Sequence, residues 1–141
     1  MLMMPVEWTP DDLVFSRQLD RDHQKVFARL EKVRKAIDQN TPADQLAFDV
    51  WRLSKDLSIH LASEERLMRE CRYPAKRWHE SQHEAGRHKM HRLKEAARSG
   101  ESALQAAAIE ELAKWLKHHV HLADRMLAAH LRNDRRERLV S

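Results

Sequence analysis

Apolar residues and histidines recur along this chain at intervals of three and four, and almost nothing interrupts the pattern. Only two glycines and four prolines occur in its 141 residues. Residues three or four apart share one face of a helix, so the spacing calls for long amphipathic helices. Too little turn chemistry remains for an all-β fold. The length suits one domain, 1–141, large enough to enclose a hydrophobic core.

Four helices follow from the breaks. Residues 1–18 lack a helical period and contain Trp8-Thr9-Pro10, so an irregular arm is expected there. Asp20 is the expected cap of a first helix ending near Gln39, with His23, Val26, Phe27, Leu30, Val33 and Ile37 on its inner stripe. Thr41 as cap and Pro42 as first helical residue open a second helix, which runs to about Cys71 through Leu53, Leu57, His60, Glu64 and Leu67. Tyr73-Pro74 separates it from a third, with His79, His83, Gly86, Met90, Leu93 and Ala97 inward. Ser99-Gly100 turns into a fourth over 102–131, placing Leu104, Ala108, Leu112, Trp115, His119 and Met126 inside. A charged tail, 133–141, is expected to fray. Short connections between long helices imply an all-α, antiparallel up-down-up-down four-helix bundle spanning 20–131.

Charge and cysteine content narrow the function classes. Twenty-six basic residues stand against twenty-two acidic ones, a mixed surface rather than a polyanion binder, so no nucleic acid is expected. Cys71 is the single cysteine and reads as a small core residue. No apolar run approaches the roughly 18 residues of a membrane span, and the opening five residues do not form a signal peptide. A cytoplasmic protein with no membrane partner is the expectation.

The ten histidines carry the chemistry. Four pieces matter: His23, His60-x-x-x-Glu64, His79-x-x-x-His83 and His119-x-x-x-x-Asp124. The four-residue spacings put two donors on one face, within reach of a shared ion. The five-residue gap rotates about 140° on an ideal helix, so Asp124 must lean inward or the helix must loosen as in a π-bulge. An unpaired buried carboxylate costs several kcal/mol or more, and no Lys or Arg is in register with Glu64 or Asp124. One buried histidine has a bland reading as a packed side chain; seven such residues on four helices do not. Metal ions offset the cost if both carboxylates bridge two of them. Three histidines on one ion and two on the other then leave one position open. Ligand type alone leaves iron, zinc, copper, nickel and manganese as choices. His88, His91, His118, His121 and His130 match no ligand position, and the first four are expected at the surface.

In these motifs the chain resembles the bacterial hemerythrins. The resemblance runs from Trp8 through Leu19-Asp20-x-x-His23, His60-Leu61-x-x-Glu64-Glu65-x-x-Met68 and Tyr73-Pro74 to Trp115-Leu116-x-x-His119-Val120-x-x-x-Asp124. It implies two non-haem iron ions with an oxo or hydroxo bridge. His79, His83 and His119 would hold the saturated iron, His23 and His60 the iron with the open site, and Glu64 and Asp124 would bridge. Leu116 and Val120 would line the ligand pocket beside Leu61 and exclude water. The implied function is reversible O₂ binding for storage, delivery or sensing. Two positions depart from the family: Leu61 and Gly86 stand where it commonly carries Phe. A missing ring beside His83 leaves a void unless Trp51, Trp78 or the arm fills it. An enlarged pocket would favour the alternative, a di-iron enzyme acting on peroxide or nitric oxide at the same open site.

Overall fold

The computed structural model describes the backbone of residues 6–140 and the side chains of residues 6–135. The expectations for residues 1–5 and for Ser141 lie outside that range. Helix α1 spans Arg17–Asp38, α2 Ala43–Glu70, α3 Lys76–Ser99 and α4 Ser102–His119. A π-helical turn, Val120–Asp124, joins α4 to α5, Arg125–Val140. The last three pieces form the fourth rod of an all-α four-helix bundle, in which α1 packs on α2, α2 on α3, α3 on α4 and α4 on α1. Ion pairs across the first seam, Arg29 to Asp56 at 2.8 Å and Lys32 to Asp49 at 3.9 Å, rise on α1 as they fall on α2. The two helices are therefore antiparallel.

The helix ends explain the short connections. Asn40 and Arg72 adopt left-handed backbone, φ 52° in each case. Each closes a double hydrogen-bonded stop. Thr41 N–H donates to Ala36 O at 3.0 Å and Asn40 N–H to Ile37 O at 3.2 Å. Tyr73 N–H donates to Met68 O at 2.9 Å and Arg72 N–H to Arg69 O at 3.2 Å. Tyr73 and Met68 also pack together with Leu127 in a small apolar cluster, against which the half-buried Cys71 sits. Gly100, with φ 72°, ends α3 in the left-handed region that suits glycine.

Several boundaries and faces differ from the sequence expectation. Ser16, not Asp20, caps α1, accepting from Leu19 N–H at 3.4 Å. Asp20 lies a turn inside the helix and reaches back to accept from Val14 N–H at 2.8 Å. Pro42 is the cap of α2 rather than its first residue. The last helix does not end at 131: the backbone is helical to Val140, as the Arg, Glu and Leu content of this stretch favours. Leu104 and Met126 are exposed, at 51% and 44%. Leu104 sits beside the buried stripe of Gln105, Ala108 and Ile109. After the π-turn the helical phase shifts, so Leu127 and Ala128 face inward in place of Met126.

The arm is irregular except for a 3₁₀ turn at Pro10–Asp12, and side chains of the fourth rod hold it. Asp12, 1% exposed, accepts from Lys117 Nζ at 2.7 Å and from Thr9 N–H at 2.8 Å, and lies 2.6 Å from His121 Nε2. Arg125 donates to Leu13 O and Asp11 O, and Arg132 to Val14 O at 2.8 Å. Burial opposes ionisation of Asp12, but the contacts with Lys117, Thr9 N–H and His121 outweigh it and hold the carboxyl below its ordinary 3.8. A depressed acid stabilises the fold above its ordinary pKa, and that contribution is lost as pH falls through the lower folded value. Asp12→Ala is expected to cost about 1–3 kcal/mol near neutral pH. In denaturant titrations the gap from the parent should narrow once pH falls below about 4.

Candidate metal centre

Four rods deliver seven buried polar side chains to one point: His23 from α1, His60 and Glu64 from α2, His79 and His83 from α3, and His119 and Asp124 from the fourth rod. The four-residue pairs sit on regular helix. The five-residue pair does not, and the π-helical turn at Val120–Asp124 supplies the looser winding that its spacing requires. It brings Asp124 Oδ1 to 3.1 Å from His119 Nε2.

Each carboxylate turns its two oxygens toward different histidines. Glu64 Oε1 lies 2.9 Å from His79 Nε2, 3.0 Å from His83 Nε2 and 3.8 Å from His119 Nε2. Asp124 Oδ1 lies 3.2 Å from His79 Nε2 and close to His119. On the other side Glu64 Oε2 is 2.8 Å from His60 Nε2 and 3.7 Å from His23 Nε2. Asp124 Oδ2 is 2.9 Å from His23 Nε2. Two overlapping donor sets result, one with His79, His83 and His119, the other with His23 and His60, both sharing Glu64 and Asp124. Within each set the donor atoms lie inside 4.8 Å of one another, a spread that can hold a metal ion.

The donor chemistry fits metal better than protons. Nε2 of His23, His60 and His119, Oε2 of Glu64 and both oxygens of Asp124 are buried without a hydrogen-bond partner. They approach one another closely but are aimed at shared space rather than along hydrogen-bond lines. Burial opposes ionisation of Glu64, but the charge of His60 and contacts with His119 and His23 overcome it, holding the carboxyl well below its usual range. Burial and the like charge of Glu64 also oppose ionisation of Asp124, and His119 and His23 reverse them. The same attraction acts in reverse on the rings. Burial works against a protonated His60, yet Glu64 and Asp22 push it up to about 10. Contacts with Asp124 and Glu64 likewise overcome burial and push His79 up to about 9.

Two outer carboxylates back this cluster, and sequence reasoning assigned neither a role. Glu65 Oε2 lies 2.7 Å from His83 Nδ1 and is itself held by Arg87 at 2.9 Å. Asp22 Oδ2 lies 3.5 Å from His60 Nδ1. Each is adjacent in sequence to a residue of the cluster, Glu64 and His23, and that adjacency was the available signal. Leu61, Leu116 and Val120 are each buried, on the turns that carry His60 and His119. His88, His91 and His118 are exposed, as expected. His121 is exposed as well and also latches the arm through Asp12, while His130 is half-buried beside the Tyr73 ring, 5.1 Å away.

The space beside Gly86 is filled, but by none of the expected residues. Trp51 and Trp78 are exposed, at 55% and 37%. Trp115 occupies the position, its ring stacked on His119 at 4.8 Å and 17°. A Cβ at Gly86 would lie 2.4 Å from Trp115 Cη2, so the indole can sit there only against glycine. Gly86→Ala should therefore cost about 1–3 kcal/mol through overpacking, despite a gain in helix propensity of up to ~1 kcal/mol. Chemical denaturation gives the cost. Shortening the ring in Gly86→Ala/Trp115→Phe should recover part of it.

No curated protein matches the chain. The sequence profile described as Hemerythrin HHE cation binding domain matches residues 14–131, which include all seven clustered side chains. The chain belongs to the hemerythrin family.

Proposed function

We propose that this protein holds two iron ions and binds O₂ reversibly at one of them. The observation that carries the reading is the division of the carboxylate oxygens. Oε1 of Glu64 and Oδ1 of Asp124 face three imidazoles, and Oε2 and Oδ2 face two. His79, His83 and His119 would hold one ion and His23 and His60 the other, leaving its coordination open to a ligand, and Glu64 and Asp124 would be shared between them. With iron bound in its ferrous state, the centre supplies the electrons and the vacant coordination position that O₂ needs.

The remaining work belongs to the protein. Leu61, Leu116 and Val120 are buried on the turns that carry His60 and His119; in this reading their aliphatic surface lines the open position, excluding water and favouring a small apolar ligand. Glu65 fixes the ring of His83 so that Nε2 faces the centre, and Asp22 lies 3.5 Å behind the ring of His60. The enzymatic alternative drew on an enlarged pocket. With Trp115 in the space beside Gly86, only the smaller Leu61 still argues for it.

Metal analysis should find two irons per chain, and the reduced protein should show a spectral change on oxygenation that deoxygenation reverses. Zinc as the native metal, or a reduced centre indifferent to O₂, would sink the reading. Sustained turnover of peroxide or nitric oxide would move it to the enzyme. Because His60 and His79 hold protons well above neutral pH in the metal-free pocket, loading must expel them. Calorimetry in buffers of different ionisation enthalpy should register proton release, with metal affinity falling as pH is lowered. Glu65→Gln should weaken metal retention by roughly 10–100-fold, read as the rate of loss to a chelator.

A further inference from the structure

The outer face shared by α1 and α2 exposes no carboxylate from Arg17 to Asp38, nor from Gln45 to Arg69. This does not reflect a shortage of acids. Asp38, Asp49 and Asp56 lie on these helices, and each turns inward onto a partner: Arg34 at 2.6 Å, Gln45 at 3.2 Å and Arg29 at 2.8 Å. Glu31 and Glu65 are likewise only partly exposed, bound to Arg34 and Arg87, and Asp22, 34% exposed, lies 3.5 Å from His60 Nδ1. What remains outside is cationic: Arg21, Lys25, Lys32 and Lys35 on α1 and Lys55 on α2. The opposite rods differ. There Glu84, Glu95, Glu110 and Glu111 are exposed among Arg92 and Lys114.

A line of large apolar side chains runs along this face between Asp44 and Glu70, the exposed acids at the two ends of α2. Phe48, Trp51 and Ile59 are 48%, 55% and 60% exposed, along one side of α2. The two rings stack at 6.0 Å. Arg52 lies 5.7 Å from the centre of Phe48, and Lys55 lies 5.3 Å from that of Trp51. Cations and rings thus sit side by side, the arrangement of an interfacial helix whose aromatics enter the headgroup boundary while its charges stay among the lipid phosphates. The seam pair of Lys32 with Asp49 sets the cations of α1 beside the same stripe.

We propose that this face rests on an anionic lipid surface. Its charge is complementary to acidic headgroups. It is the convex outside of two helices, which a deformable bilayer accommodates without a matching groove. A second copy docked face to face would set Lys25, Lys32 and Lys55 against cations of its own kind. No helix among the described residues is long and apolar enough to cross a membrane, so the contact is peripheral.

Co-sedimentation of the full-length, metal-loaded protein tests the proposal, using phosphatidylcholine vesicles with and without phosphatidylglycerol. Association should require phosphatidylglycerol and weaken with salt. Each of Lys25→Gln, Lys32→Gln and Lys55→Gln should reduce it by roughly fivefold, while Lys114→Gln on the opposite side leaves it unchanged. Brominated lipid should quench part of the tryptophan emission, and Trp51→Phe should remove that part without abolishing binding. Unchanged metal content and helicity certify that the variants fold. Failure to bind, equal binding to neutral vesicles, or quenching that survives Trp51→Phe overturns the proposal. So does retention by immobilised polyglutamate without vesicle binding, which would assign the face to an acidic protein.

Discussion

Two carboxylates buried side by side set the terms for everything around them. Glu64 and Asp124 are fully enclosed, and among the described residues no lysine or arginine pairs with either one. Removing such charges from water costs several kcal/mol per ion unless they are compensated where they sit. Five imidazoles from all four rods gather around them, in two donor sets that can hold metal ions to supply that compensation. Each rod is thereby fixed in rotation as well as position. Shifting any helix by one residue turns its side chain about 100° away from the common point. Ordinary apolar packing tolerates substitutions of similar volume; a convergent polar cluster does not.

The same constraint explains the irregular element in the fourth rod. His119 and Asp124 must both reach the centre, and regular helix would send the second of them sideways. A single π-turn resolves this within the span Val120–Asp124, and its consequence passes down the chain. Leu127 and Ala128 take the inward positions that an uninterrupted helix would give to Met126. Arg125 and Arg132 then point at the arm, and with Lys117 and His121 they anchor it across the outside of the rod that carries the bulge. The arm and the centre are attached to opposite faces of one element.

Much of this was legible because the ligand types and spacings are stringent. His60-x-x-x-Glu64 and His79-x-x-x-His83 have few explanations other than a shared helical face, and the awkward gap before Asp124 called for an inward lean or a bulge, of which the structure has the bulge. The helix count followed from the breaks at Asn40, Tyr73-Pro74 and Gly100. Capping was less readable, since Ser16 and Asp20 are both plausible caps and only the path of the arm, with Val14 N–H bonded to Asp20, distinguishes them. The left-handed turn at Arg72 was invisible because arginine carries no signature of that backbone. Outer contacts such as Glu65 to His83 depend on the relative height of two helices, which no single stretch of sequence encodes.

The space beside Gly86 shows the same limit in sharper form. On α3 alone, glycine in place of a ring reads as a hole next to His83. Across the bundle it reads as a requirement, because the Trp115 indole lies where any Cβ at position 86 would project. Trp115 was recognisable as an inward residue of the fourth rod, but nothing in its own segment indicated that its ring would cross to α3. Large and small residues at facing positions form one packing unit, and the volume missing from one helix is supplied by the other. The indole also stacks on His119, so the residue that fills the void holds a ring of the centre in place. A departure that suggested a looser site instead marks a place where the site is braced.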